Sequence, residues 1–499
     1  MSKLDELKTI VGEIVDLGHS RALLEWDAQV NMARGGAEDR GNLIGTLVGI
    51  MVEKITSEKT ARALEEAEAE VAGLDDDNDD VRIVRSARRE FDRLTKVPGD
   101  WMANFARLTS VAQNAWEVAK EKSDFAHFKP HLSEIVNKRR EYAGFFAPFD
   151  HVYDPLLDEF EPGMKTVDVK NIFAKLRPEQ VAVVKEIASR PQVDNAFLLK
   201  DYDGQKQWDF GVDVITHFGF DWNRGRQDKS VHPFTTSFGL DDVRITTKIE
   251  KNWPAAAMFG SMHECGHALF EQGISPKFRR TPVMANISMA VHESQSRMME
   301  NLVGRSLSFW KFFYPKLQSL FPENLANVSL EQFYRGVNKV EPSLIRIEAD
   351  EATYNLHIML RLELEIALME GSQDVETLPE AWNAKVQEYL GITPPNDAEG
   401  VLQDVHWSNG YFGYFPTYAL GNLLSAMWWE KIERDIPNLH NQFEHGKFDG
   451  LLTWLRTNIH QYGGKYTSQE LSQRITGGPI DPMPYVRYLR TKFGAIYGF

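Results

Sequence analysis

Apolar residues recur at helical spacing through most of the chain. In "DWMANFARLTSVAQNAW" (100–116), Trp101, Phe105, Leu108, Ala112 and Ala115 fall on one stripe. Pro98 and Gly99 precede it, and Asp100 is the expected N-cap. The stretch 37–73, "AEDRGNLIGTLVGIMVEKITSEKTARALEEAEAEVAG", is similarly periodic and rich in helix formers. The acidic run "DDDNDD" at 75–80 then reads as a solvated turn between two helices.

One region breaks the pattern. "SVHPFTTSFGLDDVRITTKIE" (230–250) is rich in Thr, Val, Ile and Phe, and Gly239–Asp242 separates two extended runs. That is the signal of a β-hairpin. The chain contains no internal repeat, low-complexity tract or long linker, and its prolines and glycines are scattered as helix stops, as in "GITPPNDAEG". The expectation is a mainly α, multi-helix fold with a small β element. It forms one domain over residues 1–499, with two lobes around a groove as a variant.

The 499 residues include 42% hydrophobic side chains, enough for a large core. The formal net charge of −16 argues against nucleic acid and anionic membrane surfaces as partners, because both need a basic face. The single cysteine, Cys265, rules out an intrachain disulfide and fits a reducing compartment. The start "MSKLDELKTIVGEIVDL" carries charges throughout, unlike a signal peptide, and no apolar run reaches the length of a membrane span. A cytoplasmic location is expected.

Candidate chemistry concentrates in "MHECGHALFEQG" (262–273). Residues four apart share a helix face, so His263 and His267 can aim two imidazole nitrogens at one point. Zinc accepts such nitrogens at about 2.0–2.1 Å. Glu264 projects roughly 60° round the helix from His267, where a base for an attacking water belongs. The three polar groups interrupt an almost apolar helix, "AAAMFGSMHECGHALFEQG", and burying them without a partner is costly. Cys265 points away from the pair and reads as a packing residue. A catalytic zinc needs a third protein ligand. No histidine follows closely in "ALFEQGISPK". In the next candidate helix, 281–304, Glu293 shares a stripe with Met289, Ala290 and Arg297 and is the favoured ligand, with His292 as the alternative.

Six short stretches together resemble the Taq carboxypeptidase family of zinc-dependent metallocarboxypeptidases. In order they are "HPF" (232–234), "DVRIT" (242–246), "HECGH" (263–267), "HESQ" (292–295), "IRIEAD" (345–350) and "GVLQDVHW" (400–407). "LLEWDAQVNM" near the N-terminus is a weaker match. The resemblance implies a nearly all-helical fold with a long, deep groove and the metal at its floor. It implies release of single residues from peptide C-termini, broad side-chain tolerance, and a homodimer. It also implies one Zn2+ per chain, with Co2+ or Mn2+ able to substitute, held by His263, His267 and Glu293, with Glu264 as the base.

The remaining assignments follow from that chemistry. A tetrahedral oxyanion needs donors beyond a metal. Related gluzincins draw a His and a Tyr from a late loop, and "QDVHWSNGYFGYFPTYALGN" (403–422) offers His406, Tyr411, Tyr414 and Tyr418. His406 and Tyr418 are the catalytic candidates. An exopeptidase must also hold the terminal carboxylate, for which a cationic fork suits. Arg346 is the candidate, unless Glu348 or Asp350 neutralises it. Asp242 and Arg244 read as a pair bracing the hairpin, and His232 as either a substrate contact or a structural residue. An endo-oligopeptidase with the same metal chemistry and a non-enzymatic helical scaffold are the alternatives.

Overall fold

The computed structural model describes residues 2–499. Among these are twenty-one α-helices and a three-stranded sheet. The chain divides into two compact units, each built from three segments. No helix of the described residues is long and apolar enough to cross a membrane.

The first unit comprises the chain up to Thr95, Asp194–Val337 and Trp428–Ile475. Its N-terminal part packs helix Lys3–Val30 against helix Glu58–Val71 through Leu4, Leu7, Ile10, Val11, Leu64, Ala67 and Val71. The acidic run forms the exposed turn its composition suggests, between helices Glu58–Val71 and Asp79–Lys96, and it also carries ion pairs and hydrogen bonds. Asp77 accepts from Tyr466 Oη at 2.5 Å, Asp79 pairs with Lys465 at 2.8 Å and Lys277 at 2.5 Å, and Asp76 pairs with Arg82 at 2.9 Å. Lys277, Lys465 and Tyr466 lie far away in sequence, so the turn is also tied to distant parts of the chain.

The sheet is also in this unit. The hairpin of β2 (Thr235–Ser237) and β3 (Val243–Thr247) pairs antiparallel in the register Ser237↔Val243. A third strand, β1 (Gly225–Lys229), adds to the other edge of β3 in parallel. The segment reads "GRQDK", too polar for a strand signal, and only the pairing with β3 makes it one. Val243, Ile245, Thr246 and Thr247 of the central strand are buried. Beside the sheet, Ser261 of helix Pro254–Gly273 donates to Thr247 Oγ1 at 3.0 Å. Asp242 and Arg244 form the expected bidentate pair, at 2.9 and 2.8 Å, and the guanidinium lies over the rings of Trp26 and Phe238.

The second unit comprises Lys96–Val193, Asn338–Met427 and Thr476–Phe499. Its helix Gly99–Lys122 starts two residues earlier than expected. Pro98, in extended conformation, occupies the N-cap position without a side-chain bond, and Asp100 lies in the first turn. Ala112 and Ala115 of the predicted stripe are buried, while Trp101 and Phe105 stack on each other at 4.9 Å. Helix Tyr354–Glu370 is buried on nearly every face yet carries His357, Arg361 and Glu365 inside. Such groups require internal partners.

Candidate active site

Helix Pro254–Gly273 begins with proline at its first turn, where the missing N–H costs nothing, and ends at Gly273 as expected. His263 and His267 sit one turn apart on it. Helix Met289–Arg297, capped by Ser288 Oγ accepting from the Val291 amide at 3.0 Å, crosses it at Gly266. A Cβ on Gly266 would stand 2.4 Å from the Gln295 carbonyl oxygen. That close approach brings Glu293 to the histidines.

The Nε2 atoms of His263 and His267 lie 3.6 and 3.5 Å from Glu293 Oε2. These distances exceed ordinary hydrogen bonds. They approach the roughly 3.3 Å edge of a tetrahedron whose corners are about 2.0–2.1 Å from its centre. One ligand atom from each of the three residues lies within 4.8 Å of the others. The second nitrogen of each ring is engaged elsewhere: His263 Nδ1 with Glu300 Oε2 at 2.9 Å, His267 Nδ1 with His292 Nδ1 at 2.5 Å. Both Nε2 atoms therefore turn toward the same point. The donor set fits a divalent cation of the zinc type. His292, the alternative ligand, instead backs His267 and contacts Glu271 at 2.9 Å through Nε2.

Electrostatics separate the two carboxylates of the group. Burial pushes the Glu293 carboxyl up, but Arg297, whose Nε donates to it at 2.6 Å, outweighs burial together with the histidines and holds it well below the usual range. Burial pushes the Glu264 carboxyl up and prevails, although Thr235 of β2 donates to its Oε2 at 2.6 Å. Cys265 is fully buried, and burial pushes its thiol up. His232 is exposed in the β1–β2 connection, where its backbone carbonyl accepts from Ser230 Oγ at 2.6 Å.

The other predicted residues belong to the second unit. Arg346 is buried, and neither Glu348 nor Asp350 neutralises it. Glu348 is exposed, and Asp350 accepts from the amides of Glu341, Ala352 and Thr353. Its partner is Asp404, met by the Arg346 Nε and Nη2 atoms at 3.0 and 2.8 Å, while Nη1 donates to Tyr354 Oη at 2.9 Å. Arg361 binds the other oxygen of Asp404 at 2.7 Å. Two guanidiniums share one carboxylate, leaving one positive charge in excess. His406 lies beside them, its Nδ1 buried without a hydrogen-bond partner and 3.9 Å from Asp404. Burial, reinforced by the arginines, lowers its pKa to about 4. The Tyr418 ring lies 5.1 Å from the Arg346 guanidinium carbon and 6.4 Å from the His406 ring.

Sequence reasoning missed Glu300, Asp404 and Arg361. Glu300 lies two turns beyond Glu293, a spacing that places it on the same stripe. A π-helical turn, Met298–Val303, carries it. Asp404 stands within a signature already singled out, and Arg361 interrupts the apolar run "HIMLRLELEIAL".

A mainly helical chain with two helix-borne histidines and a glutamate at metal-binding spacing falls in the class of metallopeptidases. The family model described as Carboxypeptidase Taq (M32) metallopeptidase matches residues 6–493, and the chain belongs to that family. It is 39% identical over 487 residues to Thermostable carboxypeptidase 1 of Thermus thermophilus, covering 96% of this chain and 95% of that protein. It is 37% identical to Carboxypeptidase 1 of Bacillus subtilis, covering 95% of both. The crystal structure of an M32 carboxypeptidase from Deinococcus radiodurans superposes with a TM-score of 0.97 at 37% identity, covering 100% of both chains. The chain is a peptide hydrolase of the metallocarboxypeptidase type.

Proposed function

We propose that the protein removes single amino acids from peptide C-termini with broad side-chain tolerance. His263, His267 and Glu293 hold one divalent ion, zinc or in its place cobalt or manganese. The observation that carries this reading is the convergence of two imidazole Nε2 atoms on the Glu293 carboxylate, beside a buried Glu264. When bound, such an ion supplies Lewis acidity toward the scissile carbonyl and lowers the pKa of water to about 7. Glu264 takes the proton of the attacking water at its carboxylate and passes it to the leaving amine. Thr235 holds that carboxylate in one orientation. His406 and Tyr418 donate to the developing oxyanion, and Arg346 binds the terminal carboxylate of the peptide. The excess positive charge of the Arg346–Arg361–Asp404 group supports this last role. His232, exposed beside the hairpin, is a further substrate contact. A cytoplasmic homodimer acting on peptides, and not on nucleic acid or membranes, completes the proposal. It rests on the acidic charge, the single cysteine and the family resemblance.

The test is product analysis by mass spectrometry of one short peptide, free or amidated at its C-terminus, with wild type and Arg346→Ala. Removing Arg346 leaves Arg361 and Asp404 in balance, so the fold should persist. A charge-assisted contact is worth about 1.5–3 kcal/mol, which corresponds to roughly 10- to 150-fold in kcat/KM. Turnover of the free acid should fall by about that factor, with metal content unchanged, and the preference over the amide should shrink. Equal cleavage of both peptides by wild type would rule out recognition of the terminal carboxylate. An undiminished preference in the variant would move the anchor away from Arg346.

A further inference from the structure

The two candidate ligand histidines are braced differently. His263 leans on a carboxylate directly, through Nδ1 to Glu300 at 2.9 Å. His267 reaches one only through a second imidazole. Its Nδ1 meets His292 Nδ1 at 2.5 Å, and His292 Nε2 meets Glu271 Oε1 at 2.9 Å. Ser237 of β2 donates to the other Glu271 oxygen at 3.3 Å. The proton positions follow from the chain of contacts. A ring that offers its Nε2 lone pair to a cation carries its proton on Nδ1. His267 must then donate, and His292 Nδ1 must accept. A neutral His292 consequently carries its proton on Nε2 and donates it to Glu271. The His292 ring is kept in place by Phe270, 5.2 Å away between centroids, and by the His267 ring at 4.6 Å.

We propose that His292 is a positioning residue. It fixes the tautomer and ring orientation of His267 and ties them through Glu271 to strand β2. The proposal rests on reading His267 as a metal ligand. Groups that orient a ligand histidine raise metal affinity by about 10- to 100-fold. The adjacent residue, Glu293, is a candidate ligand on the same helix, so one turn of chain supplies both a donor and the brace for another donor.

The experiment measures the zinc dissociation constant by competition with a chromophoric chelator. The proteins are wild type, His292→Phe, His292→Asn, His292→Gln and His267→Ala, with folding followed by circular dichroism. His292→Phe keeps the ring but has no acceptor. It should still bind one ion per chain, about 10- to 100-fold more weakly. His292→Asn, whose side-chain oxygen can occupy the Nδ1 position, should recover most of that loss. His292→Gln, which reaches instead toward Glu271, should not. Wild-type affinity in a folded His292→Phe overturns the proposal. So does complete loss of the bound ion in that variant, which would make His292 itself a ligand. If His292→Phe does not fold, the Asn and Gln variants decide: equal affinities overturn the proposal, and tighter binding by Asn supports it. Retention of the ion by His267→Ala would overturn the ligand reading on which the proposal rests, and that result is distinguishable from all the others.

Discussion

Glu264 and Glu293 are buried carboxylates of the same centre with opposite environments. Glu293 faces Arg297 and two imidazoles and is held ionised, as its proposed role as a ligand requires. Glu264 has a threonine hydroxyl as its donor, and burial raises its pKa, as suits a proton acceptor that must later release its proton. His263→Ala, His267→Ala and Glu293→Ala should each abolish stoichiometric metal by elemental analysis, because two of three ligands hold a cation poorly. Full metal content in any one of them removes that residue from the ligand set. Glu264→Gln should bind metal like wild type and lose a factor of about 100 or more in kcat, since an amide cannot accept the proton. Near-normal turnover by the metal-loaded variant would take the base role from Glu264.

At the scale of elements, the centre depends on how closely two helices cross. Gly266 is the contact point, and the atoms a side chain would meet there are backbone: the Gln295 carbonyl and the Ser296 Cα at 2.4 and 2.6 Å. Backbone cannot rotate away as a side chain can. Gly266→Ala should therefore push helix Met289–Arg297 outward, with an overpacking cost of about 1–3 kcal/mol. Glu293 would move with it. The expected result is a lower Tm together with weaker metal binding. A lower Tm with unchanged metal affinity would show that the crossing sets stability alone. The π-turn that follows is part of the same arrangement. It presents Glu300 to His263 while Arg297 and Arg305 approach the same carboxylate.

At the scale of the whole molecule, the Asp404 carboxylate, only 12% exposed, sits between two guanidiniums. It answers both Arg346 and Arg361, the latter fully inaccessible to solvent. Asp404→Asn leaves two guanidiniums uncompensated, and losing one partner of a buried ion pair typically costs about 3–5 kcal/mol. The denaturation midpoint of the variant should fall accordingly. The two arginines hold the Asp404 carboxyl well below the usual range despite its burial. A carboxyl depressed in the folded state contributes fully above its unfolded pKa of about 3.9 and loses that contribution as pH falls toward the folded value. The gap between wild type and variant should thus be constant near neutrality and narrow only in strong acid. A gap that widens with acidification would contradict the pairing.

What the sequence alone determined is what a single element can express. The helical character came from periodicity, the hairpin from β-branched residues around Gly239–Asp242, and the His263–Glu264–His267 face from the geometry of one helix turn. The choice of Glu293 over His292 as the residue facing both Nε2 atoms was legible in part, because the stripe with Ala290 and Arg297 points one way. Tertiary structure decided the rest. The strand "GRQDK" exists because β3 offers it a partner. The turn at 75–80 is tied to distant parts of the chain because Lys277, Lys465 and Tyr466 return to it from some 200 to 390 positions away. Arg346 finds Asp404, 58 positions on, instead of the acidic residues beside it. Charge pairing and strand pairing act across space with no periodic trace along the chain, so they become visible only when folding has brought the partners together.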